Sequence, residues 1–290
     1  MTNVLVTGAA SGFGRLITTT LLAAGHQVAA TVLDSHGRRS AAAERLRAEG
    51  AEVVDMDVTD DDSVRAGVAT AIERLGRLDV VVNNAGRGAL GLAESFSAED
   101  WKRIFDVNVF GVQRVSQAVI PHFRERHTGL LLLISSMTAQ LPVPFQGPYG
   151  ASKAAAEALS EFYRLELPQF GIESAVIEPN GFRTEFLDKN LMTDVEAWRP
   201  VYGDFAAMPA QALAAYNEQF DAIAEHDPQL VADAVRDLVA MPHGTRPFRT
   251  TVDRMGLGAV TDRVNSFREQ IRADLWSQMG LADLAVVRAV

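Results

Sequence analysis

Six short apolar runs alternate with longer amphipathic stretches through the first 180 residues of this 290-residue chain. They cover residues 4–7, 28–33, 52–56, 78–82, 130–135 and 173–177. Short runs rich in β-forming residues, spaced by helices, are typical of βαβ units in a parallel sheet that is buried on both faces. Because crossovers between parallel strands are right-handed, the pattern predicts a doubly wound, Rossmann-like α/β fold.

The spacing of apolar residues also predicts the helices between these strands. Helices are expected over 12–25, 38–49, 60–76, 98–124 and 149–168. Beyond residue 186, helical patterns cover 209–225, 228–240 and 258–278, with one strand pattern at 247–252. Because no linker rich in Pro, Gly or Ser divides the chain, we expect a single domain over 1–290. Residues 186–290 would then form a helical cap over the substrate and the last strand of the sheet.

Composition excludes several classes of function. The formal charge of -10 disfavours binding to a phosphate backbone, so no nucleic-acid partner is expected. The absence of cysteine excludes a disulfide framework, a thiol nucleophile and a thiolate metal site. The N-terminus lacks the pattern of a signal peptide, and the most apolar internal run, 130–134, is far shorter than the ~18 residues of a spanning helix. We therefore expect a cytoplasmic protein with no membrane partner.

A glycine-rich turn, TGAASGFG from residue 7, lies between the first predicted strand and the first predicted helix. Gly8 allows a tight turn, Gly12 allows the backbone to approach a pyrophosphate, and Gly14 allows close packing of helix and strand. Phosphates would then meet the free N–H groups at the positive end of the helix. The alternative is a tight turn without a ligand, since the spacing GxxxGxG differs from the more familiar GxGxxG.

Tyr149 and Lys153 lie four residues apart at the start of a predicted helix, and therefore on one face of it. A free tyrosine has a pKa of ~10, and a neighbouring ammonium should lower that pKa by favouring the phenolate. Tyr149 could then act as an acid toward a carbonyl or as a base toward an alcohol. Ser136 follows a strand at the sheet edge where α/β proteins bind ligands, and its hydroxyl could hold the substrate oxygen.

Together these motifs resemble the short-chain dehydrogenase/reductase family. The resemblance is carried by the GxxxGxG turn, by the NNAG sequence at 83–86, and by the step of 13 residues from Ser136 to Tyr149 and four more to Lys153. It covers 3–186 with specific motifs and 187–290 loosely, and is closest to the retinol and hydroxysteroid dehydrogenase branch. The family's catalytic tetrad would be Asn108, Ser136, Tyr149 and Lys153, with Asn108 holding a water that links Lys153 to solvent.

The resemblance also implies which residues bind a nicotinamide cofactor. Adenine would lie against the end of the third strand, Lys153 would bond the ribose hydroxyls, and the segment after residue 178 would hold the nicotinamide carboxamide. Asn180 replaces the family's usual glycine in that segment, but asparagine tolerates left-handed backbone. The full set is Gly8, Ser11, Gly12, Phe13, Gly14, Asp34, Asp57, Val58, Asn84, Ala85, Gly86, Tyr149, Lys153, Pro179, Gly181, Phe182 and Thr184.

Asp34 bears on the choice between NAD and NADP. It lies 20 residues after Gly14, near the place where an acidic side chain bonds the ribose 2′-OH and repels a 2′-phosphate. This favours NAD. NADP is also possible, because Val32 stands where the family commonly has the acid, and Arg38 and Arg39 could reach a phosphate.

We therefore predict a metal-independent NAD(P)-dependent oxidoreductase for an alcohol/ketone pair. The six histidines show no i, i+4 pairing for zinc and are expected to be surface or capping residues, and no G-x-S-x-G motif surrounds Ser136. An apolar secondary alcohol is expected from the flanking side chains Met137, Leu141, Val143, Phe145 and Phe182. The alternatives are a dinucleotide-sensing binding protein on the same fold, or another reaction such as epimerisation or enoyl reduction.

The helix beginning at Tyr149 predicts self-association. Small residues permit close contact on more than one of its faces, at Ala151, Ala154, Ala155, Ala156 and Ala158. Phe162, Tyr163 and Leu167 add apolar area that one sheet face need not cover, and exposed apolar patches often mark interfaces. A homo-oligomer, either a dimer or a tetramer, is expected. The alternative is a monomer in which the C-terminal hundred residues cover this surface.

Overall fold

A seven-stranded parallel sheet forms the centre of the computed structural model, which describes residues 1–223 and 225–287. The strands in chain order are β1 (Asn3–Val6), β2 (Gln27–Val32), β3 (Glu52–Asp55), β4 (Val80–Asn83), β5 (Ala89–Leu90), β6 (Gly129–Ile134), β7 (Ile172–Pro179), β8 (Leu191–Met192) and β9 (Arg249–Val252). The sheet order is β3-β2-β1-β4-β6-β7-β9, and β5 pairs separately with β8. The strand order reverses between β1 and β4, which is where open α/β sheets bind ligands beyond the carboxyl ends of their strands.

Helices cover both faces of the sheet. They are α1 (Gly12–Ala23), α2 (Ser40–Ala48), α3 (Asp61–Leu75), α4 (Ala98–Phe105), α5 (Gly111–Arg126), α6 (Gly147–Glu166), α7 (Val195–Tyr202), α8 (Met208–Ala222), α9 (Gln229–Ala240) and α10 (Gly258–Gln278). A π-helical turn, Asp106–Phe110, joins α4 to α5.

Alternation along the strands divides the core into two layers. In β1, Val4 and Val6 pack in the layer that holds α1, α2 and α9, whereas Leu5 packs in the layer that holds α3 and α5. This is the period-two pattern of a strand, with apolar residues on both faces because both faces are covered by helices. The loops at the carboxyl edge of the sheet therefore extend from strands that are packed on both faces.

The fold class predicted from the sequence is confirmed, as a single α/β domain with a seven-stranded parallel sheet. The expected continuous helix over 98–124 is instead divided by the π-helical turn. The β5–β8 pair and α7 were not predicted. The expected helix over 209–225 corresponds to α8, although residue 224 lies outside the described residues. Within 1–223 and 225–287, no helix is both long and apolar enough to cross a bilayer.

Candidate active site

A cavity of about 610 Å³ lies at the carboxyl edge of the sheet, lined by residues that follow β1, β2, β3, β4, β6 and β7. Most of the predicted cofactor residues line it: Gly8, Ser11, Gly12, Phe13, Asp57, Val58, Asn84, Ala85, Gly86, Tyr149, Lys153, Pro179, Gly181, Phe182 and Thr184. Gly14 and Asp34 are not among its lining residues. Of the predicted catalytic residues, Ser136, Tyr149 and Lys153 line the cavity and Asn108 lies behind it.

The glycine turn is too closely packed to accept larger side chains. Gly8 has a φ of +68°, and a Cβ there would lie 2.9 Å from the Cα of Ala85. A Cβ on Gly14 would lie 2.3 Å from the Gly8 carbonyl oxygen, so Gly14 serves the packing of α1 against the turn. The turn lies against the cavity, and α1 begins there at Gly12 with the backbone N–H groups of its first turn. The arrangement fits the pyrophosphate of a dinucleotide.

Thr7 joins the glycine turn to the NNAG segment, a role that sequence reasoning missed. Its hydroxyl oxygen accepts hydrogen bonds from the backbone N–H groups of Asn84 and Ala85, at 2.9 Å each. The Asn84 side-chain amide donates in return to the Thr7 carbonyl at 2.8 Å. These bonds hold two loops of the cavity in fixed relative positions, and only the pairing of β1 with β4 brings them together.

Tyr149 and Lys153 project from the first turns of α6, whose second residue is Pro148; proline is well tolerated in the first turn of a helix. The Ser136 hydroxyl lies close enough to the Tyr149 phenol to lower its pKa by hydrogen bonding. Lys153 Nζ donates to the carbonyl of Ile134 at 2.8 Å and lies 5.8 Å from the centroid of the Tyr149 ring. The structure therefore brings the three predicted residues together in one wall of the cavity.

Burial shifts the pKa values of this pair in opposite directions. It raises the pKa of Tyr149 to about 12, while the hydrogen bond with Ser136 acts the other way. It lowers the pKa of Lys153 to about 8, and the carboxylate of Glu157 opposes that shift. The expectation that Lys153 lowers the tyrosine pKa is corrected, because loss of hydration raises that pKa and the Lys153 ammonium is bonded to the Ile134 carbonyl instead. Tyr149 is thus a neutral phenol, able to donate a proton.

Asn108 lies in the π-helical turn, and its side chain joins two elements of the site. The side-chain carbonyl accepts from the N–H of Arg87 at 2.8 Å, and the amide donates to the Arg87 carbonyl and to the Ser152 hydroxyl, both at 2.9 Å. Ser152 precedes Lys153 in α6. Asn108 therefore fixes the loop after β4 relative to the helix that carries Lys153. Short π segments in helices often occur at functional sites.

Asp34 does not reach the cavity. Its backbone has a φ of +60°, and its carboxylate accepts a hydrogen bond from the N–H of Arg38 at 3.0 Å. The Arg38 guanidinium also lies 3.5 Å from it. The side chain is turned back into its own loop, so its placement does not support the predicted contact with the ribose. Leu33 and Arg39 line the cavity instead, and Arg39 has no side-chain hydrogen bond or ion pair within the described part of the chain.

His226 corrects the expectation that the histidines are surface or capping residues. It is buried, and its ring stacks on Phe182 with 4.2 Å between centroids and an interplanar angle of 4°. Its Nε2 is hydrogen-bonded with the carbonyl of Gly181, and Phe13 meets Phe182 edge-on at 5.7 Å. His226 therefore stabilises the positions of Gly181 and Phe182, which belong to the segment expected to hold the nicotinamide. Nothing in the local sequence indicated this, because the contact spans 44 residues.

A second group of cavity-lining residues is mainly apolar. It consists of Leu90, Val143, Phe186, Leu213, Tyr216, Phe220, Met255 and Leu257. Of the flanking side chains expected to form an apolar pocket, Val143 and Phe182 line the cavity, whereas Met137, Leu141 and Phe145 do not. Within 1–223 and 225–287, no group of three His, Asp or Glu side chains is arranged to bind a metal ion.

Comparison with known proteins agrees with this geometry. The short chain dehydrogenase family matches residues 2–194. A 3-ketodihydrosphingosine reductase from Bacteroides thetaiotaomicron is 35% identical over 201 residues, which cover 69% of this chain and 71% of that protein. Estradiol 17-beta-dehydrogenase 1 from Rattus norvegicus is 37% identical over 196 residues, covering 65% of this chain and 56% of that protein.

Solved structures extend the likeness to almost the whole chain. A short-chain dehydrogenase from Streptomyces avermitilis has a TM-score of 0.75 and 31% identity, covering 97% of this chain and 98% of its own. A short chain dehydrogenase/reductase from Burkholderia phymatum in complex with NAD has a TM-score of 0.71 and 26% identity, covering 92% of this chain and 94% of its own. The alcohol dehydrogenase from Thermococcus sibiricus, complexed with 5-hydroxy-NADP, has a TM-score of 0.67 and 26% identity, covering 87% and 96%. The chain belongs to the short-chain dehydrogenase/reductase family and is an NAD(P)-dependent oxidoreductase.

Proposed function

We propose that this enzyme interconverts an apolar secondary alcohol and its ketone. The observation that carries the proposal is a single cavity lined by two unlike groups of residues. One group is the glycine turn and the NNAG loop, and the other consists of aliphatic and aromatic side chains. Ser136 and Tyr149 line the same cavity, so a carbonyl bound between their hydroxyls would meet two donors.

The catalytic roles follow from the protonation states. In the reducing direction, the Ser136 and Tyr149 hydroxyls donate hydrogen bonds to the carbonyl oxygen, and Tyr149 transfers its proton as the alcohol forms. The raised pKa of Tyr149 keeps that proton in place until the substrate oxygen takes it. The bound nicotinamide supplies the hydride in this direction and accepts it in the other. Oxidation would be the reverse of this sequence, in which the phenolate form of Tyr149 takes the alcohol proton and becomes the neutral phenol.

Lys153 and Asn108 would support this transfer. Lys153 Nζ has further donors beyond its bond to Ile134, and we assign them to the cofactor ribose. Asn108 holds the neighbouring Ser152 and the loop at Arg87 in place, so it positions both walls of the cavity. The remaining cavity-lining residues of the predicted cofactor set would hold NAD or NADP.

The segment after β7 and the helix α8 would select the substrate. Phe186, Leu213, Tyr216 and Phe220 present an apolar surface to the cavity, consistent with the proposed role of residues 186–290 as a substrate cap. The reductase from Bacteroides thetaiotaomicron and the dehydrogenase from Rattus norvegicus are named for substrates with a ketone or hydroxyl on an apolar skeleton. This likeness supports a large apolar substrate.

A panel of ketones with increasing apolar size tests the proposal. We expect kcat/KM, followed by absorbance of the reduced nicotinamide, to rise with apolar area and to be low for charged ketones. Leu213→Ala should raise KM for the largest ketones, whereas the exposed Leu275→Ala on α10 should leave it unchanged. Cofactor binding without turnover of any ketone or alcohol would instead indicate a dinucleotide-sensing protein.

A further inference from the structure

A carboxylate from the segment after β7 lies on the glycine turn. Glu185 Oε2 accepts a hydrogen bond from the backbone N–H of Gly12 at 3.1 Å. The segment lies directly against the turn, since a Cβ added to Gly12 would be in ordinary van der Waals contact with Thr184, 3.6 Å from its Cβ. Gly12 is the first residue of α1, and its N–H is among the donors that this turn offers to an anion.

No side chain of α1 or of its N-cap residue bonds to the Gly12 N–H, so a carboxylate from another segment of the chain can bind there. Ser11 makes no side-chain capping bond, and the first turn of α1 contains no acidic residue. Negative charge is stabilised at a helix N-terminus by its free N–H groups and its dipole. The pKa of Glu185 is lowered by hydrogen bonds from its own N–H and from Gly12 and by the charges of Lys189 and Arg15, against the cost of burial. Glu185 is therefore an anion at neutral pH.

A lysine from the same segment reaches the other side of the turn. Lys189 Nζ donates a hydrogen bond to the Ser11 hydroxyl at 3.0 Å, and both residues line the cavity. The segment thus brings one anion and one cation to adjacent residues of the turn. Their effects on a phosphate group at this turn would be opposite in sign.

We propose that Glu185 competes with the cofactor pyrophosphate for the Gly12 N–H, and that Lys189 stabilises the pyrophosphate at the same turn. One N–H group donates one strong hydrogen bond, so Glu185 must give up its bond where a phosphate oxygen takes it. The displaced Glu185 carboxylate would remain near the cofactor phosphate and repel it. The Lys189 ammonium would attract both negatively charged groups. By competing for this N–H group, Glu185 weakens binding of the cofactor and favours its release.

Calorimetric titration with ADP-ribose and with adenosine tests the proposal, since only ADP-ribose carries a pyrophosphate. We expect Glu185→Gln to lower the Kd of ADP-ribose roughly 3- to 10-fold, and Glu185→Ala to lower it at least as much. Lys189→Met should raise that Kd by roughly 3- to 10-fold. The Kd of adenosine should be unchanged in all three proteins.

Asp188→Asn is the matched control, because it removes the same charge from an exposed neighbour that, within the described residues, has no hydrogen bond to the turn. An equal Kd for ADP-ribose in Glu185→Gln and Asp188→Asn overturns the competition, as does equal tightening of adenosine. Wild-type affinity in Lys189→Met overturns the role of the lysine. These titrations require no turnover, so their outcome is independent of the proposed alcohol or ketone substrate.

Discussion

Tyr149 and Lys153 lie one helical turn apart, yet the structure gives them different tasks. The Tyr149 phenol lies beside the Ser136 hydroxyl at the cavity wall, whereas Lys153 is bonded to the backbone of β6. A lysine held in this way orients the wall and offers donors to a cofactor, and does not contact the phenol oxygen. The proton transfer proposed above therefore rests on Tyr149.

Tyr149→Phe should abolish most turnover while cofactor binding is retained. The phenyl ring keeps the packing of the phenol but has no proton to transfer, so we expect kcat to fall by at least ~10²-fold. Steady-state rates and a cofactor titration on the same sample measure both quantities. Tyr163→Phe, on the same helix but packed against the core, should retain wild-type turnover. Comparable losses in the two variants would argue against a chemical role for Tyr149.

Cofactor choice should depend on Arg39 more than on Asp34. Arg39 lines the cavity with no described partner, whereas the Asp34 carboxylate is bonded within its own loop. A guanidinium gives strong hydrogen bonds to a phosphate, so Arg39→Met should lower kcat/KM for NADP by roughly 10-fold or more and change that for NAD much less.

The variants Asp34→Ala and Arg38→Met test whether these two residues affect the preference between NAD and NADP. Arg38→Met removes a neighbouring guanidinium that pairs with Asp34, and we expect the ratio of NADP to NAD activity to stay near the wild-type value. A selective loss of NAD activity in Asp34→Ala would support the contact between Asp34 and the ribose that the sequence predicted.

The π-helical turn between α4 and α5 connects the loop after β4 to α6 through the side chain of Asn108. Asn108 makes three hydrogen bonds there, two of them to backbone groups of Arg87. Asn108→Ala leaves these backbone groups unpaired, so the free energy of unfolding should fall by about 1–3 kcal/mol and kcat should fall with it.

Urea denaturation and steady-state kinetics on the same variants check this prediction. Ser152→Ala removes one partner of Asn108 and leaves its two bonds to Arg87, so it should cost less stability than Asn108→Ala. Unchanged stability in Asn108→Ala would show that the turn does not depend on these bonds.

The sequence predicted those elements whose cause is local. Period-two apolar runs marked the strands of the main sheet, and the spacing of Gly8, Gly12 and Gly14 marked the turn before α1. The π-helical turn was missed because it depends on Asn108 bonding to residues 21 and 44 positions away. The burial of His226 was missed for a similar reason, since its stacking partner Phe182 is distant in sequence. Asp34 was misplaced because sequence spacing does not reveal a backbone φ of +60°.

Part of the surface expected to mediate self-association is already buried within one chain. Tyr163 packs against the core and Leu167 is buried in it, so neither is available to a second copy. Phe162 on α6 remains 60% exposed, and Phe110 beside α5 is 52% exposed. Large exposed aromatic side chains on adjacent helices are a feature of surfaces that pair.

Phe162→Glu should therefore disrupt a homo-oligomer formed through α5 and α6. We expect the wild-type protein to show two or four times the 31.4 kDa chain mass by light scattering at micromolar concentration. A buried charge without a partner is costly, so Phe162→Glu should shift the mass toward one chain. Phe267→Glu is the matched control, since Phe267 is 64% exposed on α10. If only Phe267→Glu dissociated the oligomer, the interface would involve α10 instead of α5 and α6. A wild-type mass near 31.4 kDa would show that the protein is a monomer.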